Sequence, residues 1–203
     1  PVNTIIPSTE IVHDRTVLEL FRGCIRGCRF CQAGYVYRPV RAKLSETLVR
    51  QGKAALEYAG YQELNLSSLS SSDYKELGSL CDELLKWCEP RNIGLSLPSL
   101  RADSFSMELL ERVQRVRKTG LTFAPEAGTQ RLRDVINKNI TRDDILNACK
   151  TAFAGGQNAV KLYFMLGLPT ETDEDVLAIA ELAYQVLGVF KQHAKNKNRG
   201  VKI

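Results

Sequence analysis

Cys24-Ile25-Arg26-Gly27-Cys28-Arg29-Phe30-Cys31 sets three thiols in the spacing Cys-x3-Cys-x2-Cys. Three thiolates this close, on a segment loosened by Gly23, Gly27 and Gly34, can wrap one iron–sulfur cubane. Ligation by four cysteines is usual for such a cluster, and no fourth ligand follows locally. A cluster held by three thiolates leaves one iron open, which chemistry on a bound molecule requires. Two other readings are a zinc site and three buried structural thiols. Structural zinc normally takes four protein ligands, and neither His13 nor His193 stands at a standard spacing from the motif. Cys81 and Cys88 are seven apart on one helical pattern and Cys149 falls in another, so these three are expected to be packed core thiols.

The chain around the motif has 203 residues, 25% charged and 44% hydrophobic. That is an ordinary globular composition, with length for one domain and a sizeable core. It excludes disorder, collagen-like repeats and coiled coil. No apolar run reaches the length of a membrane span and no basic-then-apolar leader is present, so a cytoplasmic protein with no membrane partner is expected, its six cysteines reduced. The net charge of +5 is uneven: six basic residues and no acid lie between Arg22 and Lys43, and five more basic residues follow from Lys191 onward. A basic segment beside a chemical motif could attract an anionic substrate or nucleic acid; the alternative is a solvated or partner-covered face. Tyr35 and Tyr37 are the aromatic residues that interleave with it.

Short β-type runs alternate with longer helical patterns. Strands are expected at 17–21, 63–67, 93–97, 120–124 and 159–166, with a sixth beginning at Val201. Helices are expected at 45–58, around Leu77–Leu85, and at 107–118, 141–154 and 172–193, the last opened by a Thr172 cap and an acidic turn. This alternation predicts right-handed crossovers and parallel sheet, either doubly wound or a (β/α) barrel. Each strand candidate ends in a polar segment bearing Gly, Pro or Ser, and in parallel α/β folds such ends share the rim where ligands bind. Lys161 and Tyr163 alternate on the fifth strand and share a face, either toward a barrel interior or toward covering helices. Trp87 and Tyr184 are expected in the core, and His13 is expected to hydrogen-bond structurally. Residues 1–16 read as a lead-in from an upstream domain and 17–203 as the α/β core. The first residue is Pro1 and the chain ends as a strand begins, so a piece of a longer protein is expected.

Cys-x3-Cys-x-aromatic-Cys on the loop after the first strand of a βα series resembles the signature of the radical S-adenosylmethionine superfamily. The resemblance implies a partial (β/α)6 TIM-like barrel, here truncated near the start of its sixth strand. It implies that Cys24, Cys28 and Cys31 hold three irons of a 4Fe–4S cluster, with S-adenosylmethionine on the fourth. In that family an electron from the cluster cleaves the sulfonium, giving methionine and a 5′-deoxyadenosyl radical that abstracts hydrogen from a substrate. Phe30 then contacts the adenine region. Ser67–Asp73 stands where the family often has a Gly-Gly-Glu-like segment on the methionine amino group, a role transferred to Ser68 and Ser70. Glu126-Ala127-Gly128-Thr129-Gln130 resembles the segment that holds the ribose, through Glu126, Gly128 and Gln130; the alternative for Glu126 is a helix N-terminal acid beside Gly128. Leu166 and Gly167 belong to a segment resembling the Gly-x-x-Gly-Glu-type stretch against adenine, with Thr170 in place of its second glycine. Arg101 would contact a carboxylate or the substrate. His13-Asp14-Arg15, Arg22-Gly23-Cys24 and Cys31-Gln32-Ala33-Gly34 resemble a bacterial subgroup in which this domain follows a cobalamin-binding-like domain and precedes a C-terminal domain of unknown function. Cobalamin through such a domain, an electron donor and an RNA or protein substrate are the further partners this implies. A structural metal or iron–sulfur module, and the RNA-binding domain of a methylthiotransferase-like enzyme, are the alternatives.

Overall fold

Residues 3–118, 120–196, 198 and 200–203 are described in a computed structural model. Pro1 and Val2 of the expected lead-in, and Lys197 and Arg199 of the second basic stretch, lie outside the described residues. The chain divides into a first unit of residues 1–22, 40–99 and 111–119 and a second of residues 23–39, 100–110 and 120–203.

The first unit contains β1 (Thr16–Glu19), β2 (Phe21–Arg22), β3 (Arg41–Ala42), α2 (Ser45–Ala59), β4 (Glu63–Ser67), α3 (Leu77–Cys88) and β5 (Gly94–Ser96), while α1 (Ala33–Val36) falls in the second unit. β1, β4 and β5 form a parallel sheet in that order, with Leu18 opposite Leu66 and Leu64 opposite Leu95. Leu18, Leu64, Leu66 and Leu95 pack under Leu48, Leu56, Leu80, Leu84 and Leu85, all buried. Gly52 lets α2 lie close: a Cβ there would stand 3.3 Å from Leu18. α2 stops at Gly60, whose φ of 73° is left-handed and whose N–H donates to the Leu56 carbonyl. The expected first strand is instead two: Leu20 separates β1 from β2, which turns away to pair antiparallel with β3.

The second unit follows with β6 (Leu121–Glu126), α5 (Gln130–Val135), α6 (Arg142–Ala154), β7 (Val160–Phe164) and α7 (Asp173–His193); α4 (Met107–Gln114) spans the division of the chain. β6 and β7 are parallel, and Lys202 bridges Ala159 in parallel where the sixth strand was expected. Among the described residues the order of the parallel strands is β1-β4-β5 in the first unit and β6-β7 in the second. The core gathers Phe105 and Phe123 in an edge contact at 5.2 Å, Phe153 and Phe190 in another at 5.1 Å, and Ile145, Ala148, Cys149, Leu182 and Val186 between them. Thr141 and Asp144 close a capping box on α6.

Cys81, Cys88 and Cys149 are buried as expected, and burial pushes their thiols up to about 12, about 11 and about 12. Two expectations are corrected. Tyr184 is 74% exposed, because α7 buries the stripe of Leu182, Val186 and Phe190 and Tyr184 lies around the helix from it. Trp87 is half-buried, its ring covered by the Arg91 guanidinium at 4.3 Å. Lys161 and Tyr163 share an exposed face of β7, opposite the one on which Leu162 and Phe164 pack against the helices. His13 Nδ1 lies 2.7 Å from Arg15. Among the described residues no helix is long and apolar enough to cross a membrane.

Candidate functional site

The three motif cysteines lie in the second unit, on the loop that leads into α1. Gly23 and Gly27 take φ of 96° and 70°, which the loop's reversals need and a β-carbon would strain. Gly34 passes against Gly27 so closely that a Cβ would meet its Cα at 3.2 Å. Backbone bonds from Cys24 N–H to the Tyr37 carbonyl (3.2 Å) and from Cys31 N–H to the Cys28 carbonyl (3.0 Å) close the loop on itself.

A second segment braces it. Arg29 N–H donates to the Ile136 carbonyl at 2.9 Å, and Asn137 Nδ2 to the Gly27 carbonyl at 2.8 Å. Cys28 is buried, whereas Cys24 and Cys31 are partly open. Burial raises the Cys28 pKa, while the charges of Lys138 and then Arg101 pull it back toward thiolate, the form a metal requires. Among the described residues no three Cys, His, Asp or Glu side chains converge as ligands of one ion would. Thiolates on separate irons of one cluster need no such convergence, and three thiols on one closed loop are a donor set that fits an iron–sulfur cluster.

Glu126 stands at the end of β6. Pro125 has no N–H for the ladder, the register shifts between Phe123 and Glu126, and Glu126 takes a left-handed φ of 69°. The bulge re-aims its carboxylate, which accepts from Lys138 Nζ at 3.0 Å; the two side chains are 15% and 12% exposed. Lys138 Nζ also lies 5.8 Å from the centre of the Phe30 ring. The sequence did not single out Lys138. Its signal is the run Asn137-Lys138-Asn139, where two asparagines at φ of 54° and 51° supply left-handed turns on either side.

The other expected site residues divide by what holds them. Arg101 chelates Asp103 and donates to the Lys138 and Asn139 carbonyls at 3.4 and 3.2 Å, and Asp103 also faces Arg26 at 3.7 Å. Gln130 accepts from Arg133 and the Arg142 N–H and donates to Asp134. Gly128 is where α7 packs: a Cβ would stand 2.5 Å from the Ile179 nitrogen and 2.6 Å from the Asp175 carbonyl. Arg101, Gln130 and Gly128 therefore each build the frame. Gly167 takes a φ of 79° and its N–H donates to Glu171 at 2.6 Å, with Leu166 exposed beside it. The Met165 N–H to Glu126 carbonyl bond, 2.8 Å, ties that segment to the end of β6. In the first unit, Ser68 Oγ bonds to Ser71 Oγ at 3.0 Å, and Ser70 Oγ is buried with no hydrogen-bond partner among the described residues. The second unit thus brings together the cysteines, Phe30, Arg101 and Glu126, while Ser68 and Ser70 belong to the first.

Sequence reasoning also missed a hub. Asp175, buried at the start of α7, accepts from Thr129, from Arg131 and from the Thr172 N–H and hydroxyl. The donors hold its carboxyl well below the usual carboxylate range, the Thr129 bond first. Arg133, also buried, donates to the Ala127 and Gly128 carbonyls at 2.8 and 3.1 Å.

A protein of Methanocaldococcus jannaschii, uncharacterized by name, is 38% identical over 170 residues, 84% of this chain and 37% of that protein. The tRNA-2-methylthio-N(6)-dimethylallyladenosine synthase of Thermotoga petrophila is 27% identical over 180 residues, 84% of this chain and 40% of the synthase. The chain thus spans well under half the length of these relatives. Among solved structures, the radical S-adenosylmethionine methyltransferase TsrM from Kitasatospora setae, with cobalamin and a [4Fe-4S] cluster bound, superposes with a TM-score of 0.68 at 16% identity, covering 84% of this chain and 34% of TsrM. Residues 18–183 match the radical SAM superfamily, whose members use a 4Fe–4S cluster and S-adenosylmethionine in an α/β fold of parallel strands; the chain belongs to it.

Proposed function

We propose that this chain binds a 4Fe–4S cluster through Cys24, Cys28 and Cys31 and cleaves S-adenosylmethionine reductively to start radical chemistry on a further substrate. The observation that carries the reading is the closed glycine loop, which holds three thiols on one short turn, puts Cys28 within the field of Lys138 and Arg101, and is followed by no fourth cysteine locally. When bound, the cluster supplies the electron that breaks the sulfonium carbon–sulfur bond. The chain's own residues hold and orient. Phe30 offers an aromatic ring within the cysteine loop, and Glu126 offers a carboxylate re-aimed by the β6 bulge. Gly167 and Leu166 leave an open edge on which an adenine can lie, since no atom stands within 4 Å of a Cβ placed at Gly167.

Residues 17–203 constitute the radical SAM core of this proposal, as a partial (β/α)6 barrel, and the match over 18–183 supports it. Cobalamin belongs to the neighbouring TsrM structure and tRNA to the synthase's name; both define the first screens, with RNA, protein and cobalamin added in turn. Anaerobically reconstituted protein with dithionite should convert S-adenosylmethionine to 5′-deoxyadenosine and methionine. Cys24→Ala, Cys28→Ala and Cys31→Ala should each lose the product and the iron, while Cys149→Ala keeps its iron. Iron retained in all three motif variants would refute the assignment.

A further inference from the structure

We infer that Lys138 is a positioning residue that supplies the fixed positive charge beside the cluster loop and sets how readily the cluster is reduced. This rests on the cluster assignment above and adds a role to a residue outside the cysteine motif. Three features of the second unit carry it. First, Lys138 is placed by its backbone: its N–H donates to the Arg133 carbonyl at 2.9 Å, its carbonyl accepts from Arg101, and left-handed asparagines flank it. Second, its ammonium is sequestered, 12% exposed, between the Glu126 carboxylate at 3.0 Å and the Phe30 ring at 5.8 Å. Third, its neighbours brace the cysteine loop, through Asn137 to Gly27 and Ile136 to Arg29, so the charge and the thiols share one rigid support.

The physics follows from charge. Three thiolates already burden the site, one of them on the buried Cys28, and one further electron adds negative charge there. A nearby cation then favours the reduced form. Arg101 is committed to Asp103 and to backbone carbonyls, and Asp103 balances it; Lys138 is balanced by Glu126. Removing the lysine charge should therefore make reduction harder, and removing the Glu126 charge should make it easier.

The test is a redox titration of the reconstituted full chain without S-adenosylmethionine, followed by electron paramagnetic resonance. At a poise where wild type is half reduced, Lys138→Met should lower the reduced-to-oxidised ratio about tenfold. Lys138→Arg should restore it, and Glu126→Gln should shift it the opposite way. Should Lys138→Met lose its iron, the Lys138→Arg and Glu126→Gln pair carries the test, and no opposite shift in Glu126→Gln overturns the inference. Full iron in Lys138→Met with an unchanged ratio also overturns it, leaving the cluster assignment standing. A wild-type protein that takes up no cluster brings down both.

Discussion

Asp175 illustrates how much one buried carboxylate can organise. Four donors from Thr129, Arg131 and Thr172 converge on it, joining the turn after β6 to the start of α7. Its pKa is depressed in the fold, so its contribution to stability is fully present above the unfolded value near pH 4 and is lost as pH falls below that. Asp175→Asn should cost about 2 kcal/mol at pH 7, and the gap to wild type in chemical denaturation should narrow progressively below about pH 4. A pH-independent gap would contradict the account. None of this was visible in sequence, where Asp175 reads as one more acid in a helix's first turn. Thr170 is a similar case. The family pattern has a glycine there, and the threonine keeps a glycine's φ, 66°, held by Arg131 bonds to its carbonyl at 2.8 Å and its hydroxyl at 3.4 Å.

Elements were legible where period and caps agreed. β4 runs over the residues its pattern marks, and α6 and α7 begin directly after Thr141 and Thr172. What escaped were elements too short to show a period: the two-residue pair β2–β3, α1, and α5 at six residues. α4 ends at Gln114 rather than running to 118, and the bulge before Glu126 depends on pairing across β7 that no local pattern encodes. The short α5 nevertheless matters, because the turn before it holds Gly128, against which α7 docks backbone to backbone. Gly128→Ala would push its methyl into the Ile179 nitrogen and the Asp175 carbonyl, neither of which can rotate aside. It should destabilise the fold by at least about 2 kcal/mol. Thermal melts distinguish this from a ligand role, since a binding glycine would lose affinity at unchanged Tm.

At the scale of the whole molecule, the cysteine spacing carried most of the functional information, and the structure added the support. The three thiols, Phe30, Glu126 and Arg101 were legible as candidates. Their wiring was not: the Asn137 to Gly27 bond joins residues 110 positions apart, and the Arg133 and Lys138 bonds depend on turns that no periodic pattern marks. The basic stretch from Arg22 to Lys43 is largely at the surface: Arg22, Arg29, Arg38 and Arg41 are exposed, Arg22 pairing with Glu19 at 2.9 and 3.0 Å. The central claim is that this loop carries a cluster whose open iron binds S-adenosylmethionine. Electron paramagnetic resonance of the reconstituted, dithionite-reduced protein, recorded before and after S-adenosylmethionine is added, tests it most directly. A 4Fe–4S signal whose g-values move on addition is the predicted result. Bound zinc with no iron–sulfur signal, or a cluster signal indifferent to S-adenosylmethionine, would contradict it.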